Sequence, residues 1–360
     1  MIEDAFVIDA VAHAFDLRPE TYRDPMAEQA ADVIYYGLHQ GFQARGAAKW
    51  TLDRERFLAA ATDPGLVGHA LFAESPTDMC IYHAINVHGL YANGLSPLSA
   101  GLALRERYPG RVLIFGGLSP WQENALDEID RLAEVGAVGL KIYPHDIVDG
   151  KILEFRLDDP EAAYPLIERA RAHGIRTIAL QKSQPIGPVP LAPYSPADVE
   201  GAAMAFPDMT FELVHGGWAF LEETASQLAR FPNVTINLEI TTAYLLKAPR
   251  RFAEILGTLL ASGGRDRLVW ATGAMLFHPR PLVEAFWNFE MPRDLVEGYG
   301  FPELTREDKI AILGRNQARI LGLDIAKLQT AFAGDPAGGD QGTAEPWTGG
   351  RPVAELEAVR

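Results

Sequence analysis

The chain has 360 residues, of which 48% are hydrophobic and 22% are charged, a composition typical of a folded globular protein with one principal core. Its formal net charge of −16 argues against nucleic-acid or anionic membrane partners, since these require clustered Lys and Arg. The apolar stretches fall short of the roughly 20 residues of a membrane helix, and the N-terminus lacks signal-peptide features. With Cys80 as the only cysteine, we expect a buried thiol, no disulfide and a cytoplasmic location.

Eight short runs rich in Val, Ile and Leu are nearly continuous in apolar character, which is typical of parallel strands buried on both faces. These runs are residues 6–9, 80–87, 112–118, 138–142, 176–180, 210–214, 234–238 and 268–272. Helical patterns such as 123–135 and 160–172 lie between them. Eight strand–helix units predict an α/β fold, a closed (β/α)8 TIM barrel. A doubly wound sheet is the alternative, although no G-x-G-x-x-G follows the first run.

Two regions fall outside this alternation. Residues 17–68 contain helical patterns at 24–44 and 53–61, and they predict a helical insertion after the first strand that covers the barrel mouth as a lid. We therefore predict one barrel domain over residues 1–330. Residues 331–360 form a Gly- and Pro-rich tail that is expected to be flexible, with Trp347 as its one anchor.

Two segments have the residues of helix N-caps. Ser195, followed by Pro196 and by Asp198, reads as an N-cap, a first-turn proline and a capping-box acid. Thr305 and Asp308 have the same spacing at the start of the last long helical pattern.

Polar side chains recur where the predicted strands end, and in a barrel these ends converge on one mouth. His13, Lys141, Gln181, His215 and Glu239 all lie at or just beyond such ends. We expect His13 and His215 to be functional, against the alternative that each is only a satisfied polar residue. Their shared location is the main functional signal in the sequence.

Lys141 and Glu239 are the candidate catalytic residues. A buried lysine could bridge metals after carbamylation or pair with a substrate carboxylate, or it could form a structural salt bridge to Glu239. Glu239 could act as a general base or an oxygen ligand, against the alternative of a structural ion pair.

Other polar residues near strand ends have weaker signals. Arg280, after the last predicted strand, could contact a substrate anion or form a surface salt bridge. Surface exposure is the favoured interpretation for His145 and Asp146, and a structural role for His83 and His88. No nucleophile elbow, P-loop, H-E-x-x-H or CxxC pair occurs.

Three segments resemble the amidohydrolase superfamily, in its amidohydrolase-related branch of aminocarboxymuconate semialdehyde decarboxylase, resorcylate-type decarboxylases and related hydrolases. They are the opening 7–13, which is similar to the I-D-x-H-x-H motif, the His215-Gly216-Gly217 turn and the closing helix 312–323. The resemblance covers roughly residues 4–325 and implies a metal site at the mouth. It implies that His13 and His215 are metal ligands and that Lys141 lies where some relatives have a bridging lysine.

The chain departs from this family pattern at three ligand positions. Val11 stands in place of the first histidine of the opening pair, Gln181 in place of the fifth-strand histidine, and Gly273 in place of the metal-binding aspartate. Two imidazoles alone hold zinc poorly, because a stable site has three or four protein ligands. A rearranged site could recruit Glu239, His145, His278 or Lys141; otherwise the mouth is free of metal.

Three functions remain open at this point. The first is a mononuclear-metal hydrolase or decarboxylase of a small carboxylate or amide, with zinc as the expected metal, Lys141 and Glu239 as catalytic residues, and Gln181 and Arg280 binding substrate. The second is a supporting subunit paired with a metal-complete paralogue, a hydrolase or a two-metal oxygenase, and the third is a binding module. An oligomer of identical or homologous chains is expected.

Overall fold

The computed structural model describes residues 1–43, 48–185, 189–333 and 346–348. Its main sheet has eight strands, all pairs of which are parallel. The barrel is closed by a bridge between Ala12 and Ala274 and by Ala10 N, which donates to Trp270 O at 2.9 Å. The predicted TIM barrel is therefore confirmed.

Each of the eight predicted runs overlaps one barrel strand. In sheet order the strands are β1 (Ile8–Ala12), β2 (Met79–His83), β3 (Val112–Leu118), β4 (Gly139–Ile142), β7 (Thr177–Gln181), β8 (Thr210–Val214), β9 (Val234–Asn237) and β10 (Leu268–Val269). Nearly all of their residues are buried, as expected for strands covered on both faces.

The helices surround this sheet or extend it. The α-helices are α1 (Met26–Asp32), α2 (Arg54–Leu58), α3 (Pro64–Phe72), α4 (Leu98–Arg107), α5 (Ala125–Glu134), α6 (Tyr164–Ala172), α7 (Val199–Ala205), α8 (Leu221–Arg230), α9 (Tyr244–Lys247), α10 (Pro249–Ala261), α11 (Pro279–Trp287), α12 (Arg293–Tyr299), α13 (Arg306–Ile310), α14 (Asn316–Leu321) and α15 (Ile325–Phe332). Two π-helices are Val33–Gln40 and Ala311–Arg315. Short 3-10 helices are Pro19–Thr21, Ala48–Trp50, Ala60–Thr62, Ala192–Tyr194, Pro196–Asp198 and Thr241–Ala243. Within the described ranges no helix is both long and apolar enough to span a membrane.

The segment after β1 is helical, as predicted. We call α1, the π-helix Val33–Gln40 and α2 the insertion helices. The division of the chain into a barrel of residues 1–330 and a tail stays a prediction, and most of the tail lies outside the described residues.

A two-stranded hairpin between β4 and α6 was not predicted. Its antiparallel strands are β5 (His145–Val148) and β6 (Lys151–Glu154). The expectation that His145 and Asp146 are exposed is wrong, because both side chains are buried. His145 Nδ1 lies 2.6 Å from Tyr194 Oη, and Asp146 accepts from its neighbour's backbone N–H.

One predicted capping box is confirmed and the other is wrong. The hydroxyl of Thr305 accepts from Asp308 N while the Asp308 carboxylate accepts from Thr305 N. Ser195 does cap a short 3-10 helix, but the carboxylate of Asp198 turns into the core instead of returning to it. There it pairs with the ammonium of Lys182 at 2.7 Å and accepts from Leu157 N at 3.0 Å.

Replacing Asp198 with alanine should destabilise the fold strongly, because it leaves the buried ammonium of Lys182 without its partner. Their side chains are only 2% and 5% exposed, and breaking such a pair costs about 3–5 kcal/mol. Urea unfolding measures the free energy. The control is Glu297→Ala, which removes the exposed ion pair to Arg293 and should cost less than about 1 kcal/mol. Equal losses in both variants would contradict this assignment.

Candidate active site at the barrel mouth

The five residues predicted at strand ends come together at the barrel mouth. His13 follows β1, Lys141 lies in β4, Gln181 ends β7, and His215 and Glu239 follow β8 and β9. All five side chains are buried. The prediction that these strand ends converge is therefore confirmed, whereas the chemical role of each residue stays a prediction.

Glu239 is the centre of this group. Its Oε1 lies 3.5 Å from His13 Nε2 and its Oε2 lies 3.5 Å from His215 Nδ1. Burial acts to raise the pKa of Glu239, but the attraction of His215, His13 and Lys141 outweighs it and lowers that pKa below its ordinary value. The mouth therefore contains a buried, ionised carboxylate between two imidazoles.

The two imidazoles are oriented by backbone carbonyls. His13 Nδ1 lies 3.0 Å from the carbonyl oxygen of His83, so this nitrogen carries a proton and Nε2 faces Glu239. His215 Nδ1 lies 3.4 Å from the carbonyl oxygen of Glu239. Burial lowers the pKa of His215, against the attraction of the Glu239 carboxylate.

The backbone is strained where it presents these side chains. His215 has φ of 64° and Ile240 has φ of 61°, and positive φ is rare for residues with a Cβ atom, most of all for β-branched ones. Gly216 is needed beside them, because a Cβ there would lie 1.9 Å from Ile236. Such strain is concentrated at functional sites.

Lys141 is a buried cation with little hydrogen bonding. Its Nζ donates to Gln181 Oε1 at 3.0 Å and lies 5.4 Å from the ring centre of Tyr143. Among the residues that the structure describes, no carboxylate forms an ion pair with it, so the predicted alternative of a salt bridge to Glu239 is wrong. Burial lowers the pKa of Lys141 to about 8, against the attraction of Glu239 and Glu212.

Glu239 occupies space that a side chain at position 273 would need. Gly273 has φ of 65°, and a Cβ built on it would lie 2.6 Å from Glu239 Oε1. The family resemblance implies an aspartate at this position. Glycine at position 273 leaves room for the Glu239 carboxylate, which reaches the mouth from the end of β9.

A second buried acid below the mouth was missed from the sequence. Glu212 lies in β8, and its Oε1 accepts from Asn237 Nδ2 at 2.7 Å. Burial raises the pKa of Glu212 to about 7. An acid inside an otherwise apolar strand is the sequence signal that could have identified it.

The cavity above these residues is small and mostly apolar. Its volume is about 20 Å³, and it is lined by His13, Phe15, Ile34, Leu38, Ile85, Leu95, Tyr143, His215, Glu239, Ile240 and Leu276. A space of this size admits one water molecule and no substrate. The site is therefore closed in this conformation.

The insertion helices supply part of the cavity wall, which comprises Ile34 and Leu38. Next to them His39, another residue missed from the sequence, joins the insertion to the barrel. Its Nδ1 lies 2.7 Å from the carbonyl oxygen of Leu276, and its Nε2 accepts from Leu52 N at 2.8 Å. Burial lowers the pKa of His39 to about 4, so the neutral ring satisfies both contacts.

Arg280 does not join the group at the mouth. Its Nε donates to the carbonyl oxygen of Glu74 at 3.0 Å and its Nη1 donates to Glu284 at 3.0 Å. Like Lys141 and Gln181, it is not among the residues that line the cavity. Substrate binding by Arg280 stays a prediction without support from these contacts.

The donors of the mouth do not form a complete metal centre. Across residues 1–43, 48–185, 189–333 and 346–348, no three His, Cys, Asp or Glu side chains are arranged to hold a metal ion. Valine, glutamine and glycine at positions 11, 181 and 273 supply no imidazole or carboxylate. The residues present therefore do not fit the dinuclear site that the resemblance implies, and metal binding by His13 and His215 stays a prediction.

Restoring an aspartate at position 273 should destabilise the protein, because its side chain would meet Glu239. We expect Gly273→Asp to cost about 3–5 kcal/mol from the clash and the second buried charge, and Gly273→Asp with Glu239→Ala to recover at least half. The control is Gly150→Asp, since Gly150 has φ of 70° and nothing within 4 Å, and only the backbone cost of about 1 kcal/mol applies. Urea unfolding measures all three. A double variant no more stable than Gly273→Asp would contradict the conclusion that Glu239 occupies the space of a side chain at position 273.

Comparisons with known proteins agree with this architecture. The model of a family described as Amidohydrolase matches residues 98–323. An uncharacterized TIM-barrel protein from Bordetella bronchiseptica is similar with a TM-score of 0.61 and 17% identity, over 88% of this chain and 98% of that chain. No curated protein matches the chain.

Two decarboxylases have the same fold. 5-Carboxyvanillate decarboxylase from Novosphingobium aromaticivorans, with bound manganese and 3-methoxy-4-hydroxy-5-nitrobenzoic acid, has a TM-score of 0.54 and 14% identity, covering 89% of this chain and 98% of that chain. 2,6-Dihydroxybenzoate decarboxylase from Rhizobium has a TM-score of 0.53 and 14% identity, covering 88% and 99%. Manganese in one relative supports a divalent metal as the cofactor of such proteins and does not single out zinc.

The family match covers well over half of the chain and includes every barrel strand from β3 to β10. The chain belongs to the amidohydrolase family of metal-dependent hydrolases and lyases.

Proposed function

We propose that this protein is a lyase or hydrolase of a small carboxylate with an apolar body, and that decarboxylation is its reaction. The observation that carries the proposal is the ammonium of Lys141. An ammonium has three N–H donors, and Gln181 accepts from one of them. A substrate carboxylate at the mouth would supply the missing anion.

Lys141 and Glu239 carry opposite charges in the mouth, but their charged groups are not in contact. Lys141 is positive below its pKa of about 8, and Glu239 is negative. A carboxylate that reaches Lys141 gains a charge-assisted hydrogen bond in a region shielded from water. Gln181 accepts a hydrogen bond from the Nζ atom, and we propose that it positions the ammonium for substrate.

Proton transfer is proposed for the imidazoles and Glu239. Decarboxylation breaks the bond between carbon and the carboxylate, releases CO₂ and leaves an electron pair that must take up a proton. We propose that His13 binds a second proton at Nε2, 3.5 Å from the Glu239 carboxylate, and that this imidazolium transfers it to the carbon. The Lys141 ammonium also offsets the negative charge that develops on the substrate.

The wall of the cavity supports an apolar substrate body. The apolar part of the lining comprises Phe15, Leu95, Leu276 and the two insertion residues Ile34 and Leu38. The imidazoles and Glu239 line the same cavity. An aromatic acid would set its carboxylate on the polar floor and its ring against this wall. Because the cavity admits one water molecule, the insertion must move before such a substrate enters.

The supporting-subunit alternative gains no support from the family match, which is to a family of enzymes. Zinc, an oligomer and a cytoplasmic location stay predictions. Since the structural relatives include a manganese protein, manganese is the metal to supply in assays.

Removing the charge of Lys141 should weaken binding of aromatic carboxylates. We expect 3-methoxy-4-hydroxy-5-nitrobenzoic acid to bind the protein, and Lys141→Met to weaken binding roughly 10- to 100-fold, the worth of one charged hydrogen bond. Lys151→Met, at an exposed hairpin position, is the control. Release of CO₂ from 2,6-dihydroxybenzoate and 5-carboxyvanillate, with and without added manganese, tests the reaction itself. Unchanged affinity in Lys141→Met would contradict the proposed anion site.

The same binding should decline as pH rises through about 8, where Lys141 loses its proton. The free energy of unfolding should respond to pH in the opposite direction. The unfolded chain keeps this proton up to the usual lysine pKa of 10.5, so the contribution of Lys141 makes the fold more stable as pH rises between these two values. Binding that stays constant from pH 7 to pH 10 would show that Lys141 does not hold the anion.

A further inference from the structure

Trp347, in the part of the tail that the structure describes, is not an exposed anchor but a buried one. Its side chain is only 2% exposed. Its ring lies against His278 of the barrel, with ring centres 4.8 Å apart, and against His39 of the insertion at 6.4 Å. One residue of the tail thus contacts both the barrel and the insertion.

The barrel holds this segment through the carboxylate of Glu74. Trp347 N donates to Glu74 Oε2 at 2.9 Å, and Thr348 N and Oγ1 donate to Glu74 Oε1 at 2.9 and 2.7 Å. His278 Nε2 lies 2.9 Å from the same carboxylate. Both carboxylate oxygens of a buried acid are therefore engaged by two consecutive tail residues, which is a specific recognition of this segment.

The insertion holds Trp347 from the other side. The indole Nε1 donates to the carbonyl oxygen of Trp50 at 2.8 Å, and Arg56 Nη2 donates to the carbonyl oxygen of Trp347 at 2.7 Å. Trp50 and Arg56 flank the start of the last insertion helix, α2. Without Trp347, these contacts between the insertion and the barrel are lost.

The insertion held in this way is the one that closes the mouth. Ile34 and Leu38 line the cavity above His215 and Glu239, and His39 on the same helix bonds to the carbonyl oxygen of Leu276. We propose that residues 346–348 are a latch: docked between Glu74 and Trp50, they hold the insertion helices closed over the mouth, and their release opens it. The consequence for turnover rests on the proposed function, whereas the closure itself does not.

Hydrogen exchange of the full chain tests the latch without any substrate. In Trp347→Ala, amides of residues 26–40 should exchange about tenfold faster or more, because local opening then requires fewer contacts to break, while amides of β3 and β8 stay as slow as in the wild type. The control is Trp287→Ala, which removes a partly buried tryptophan bonded to Glu3 on the outer surface and should leave residues 26–40 unchanged.

A milder variant covers the case in which Trp347→Ala unfolds as a whole. Trp347→Phe keeps an aromatic ring in the pocket but loses the bond to Trp50, and it should accelerate exchange at 26–40 by a smaller factor. Wild-type exchange at 26–40 in both variants would overturn the latch. Failure of the carboxylate-binding experiment with faster exchange in Trp347→Ala would overturn the proposed function and leave the latch intact.

Discussion

The rest of the site depends on a lysine ammonium that is buried in the barrel mouth and that contacts no carboxylate among the residues the structure describes. Taking an ammonium out of water costs several kcal/mol even after relaxation, and Gln181 alone returns one hydrogen bond to Lys141. The nearby charges of Glu239 and Glu212 keep it protonated without neutralising it by contact. In the proposed function, the carboxylate of the substrate supplies the contacting anion that this ammonium lacks.

The anion beside this lysine comes from a position that the family pattern does not imply. With Gly273 in place of an aspartate, the carboxylate of Glu239 turns into the vacated space and faces His13 and His215. The mouth thus contains a cation, Lys141, and an anion, Glu239, although the ligands for two metal ions are not assembled among the described residues.

Much of the fold could be predicted from the sequence, because strands buried on both faces must be continuously apolar and the barrel repeats this pattern eight times. Strand ends then identified His13, Lys141 and Glu239. Contacts between residues distant in the chain could not be predicted. The pairing of Asp198 with Lys182 was hidden by its capping-box spacing, and Trp347 fills a pocket built by Glu74 and Trp50, which no local pattern connects.

Closure and chemistry are linked through the insertion. The insertion side chains Ile34 and Leu38 line the cavity together with the imidazoles, so the insertion shields them from water and, in this conformation, leaves no room for substrate. The most direct measurement is an NMR titration of lysine side chains in the full protein, with Lys141 assigned through Lys141→Met. One resonance should titrate near pH 8 and shift to higher pH when 3-methoxy-4-hydroxy-5-nitrobenzoic acid binds, because the anion stabilises the ammonium. A Lys141 that titrates near the usual 10.5, or that ignores the ligand, would contradict the account.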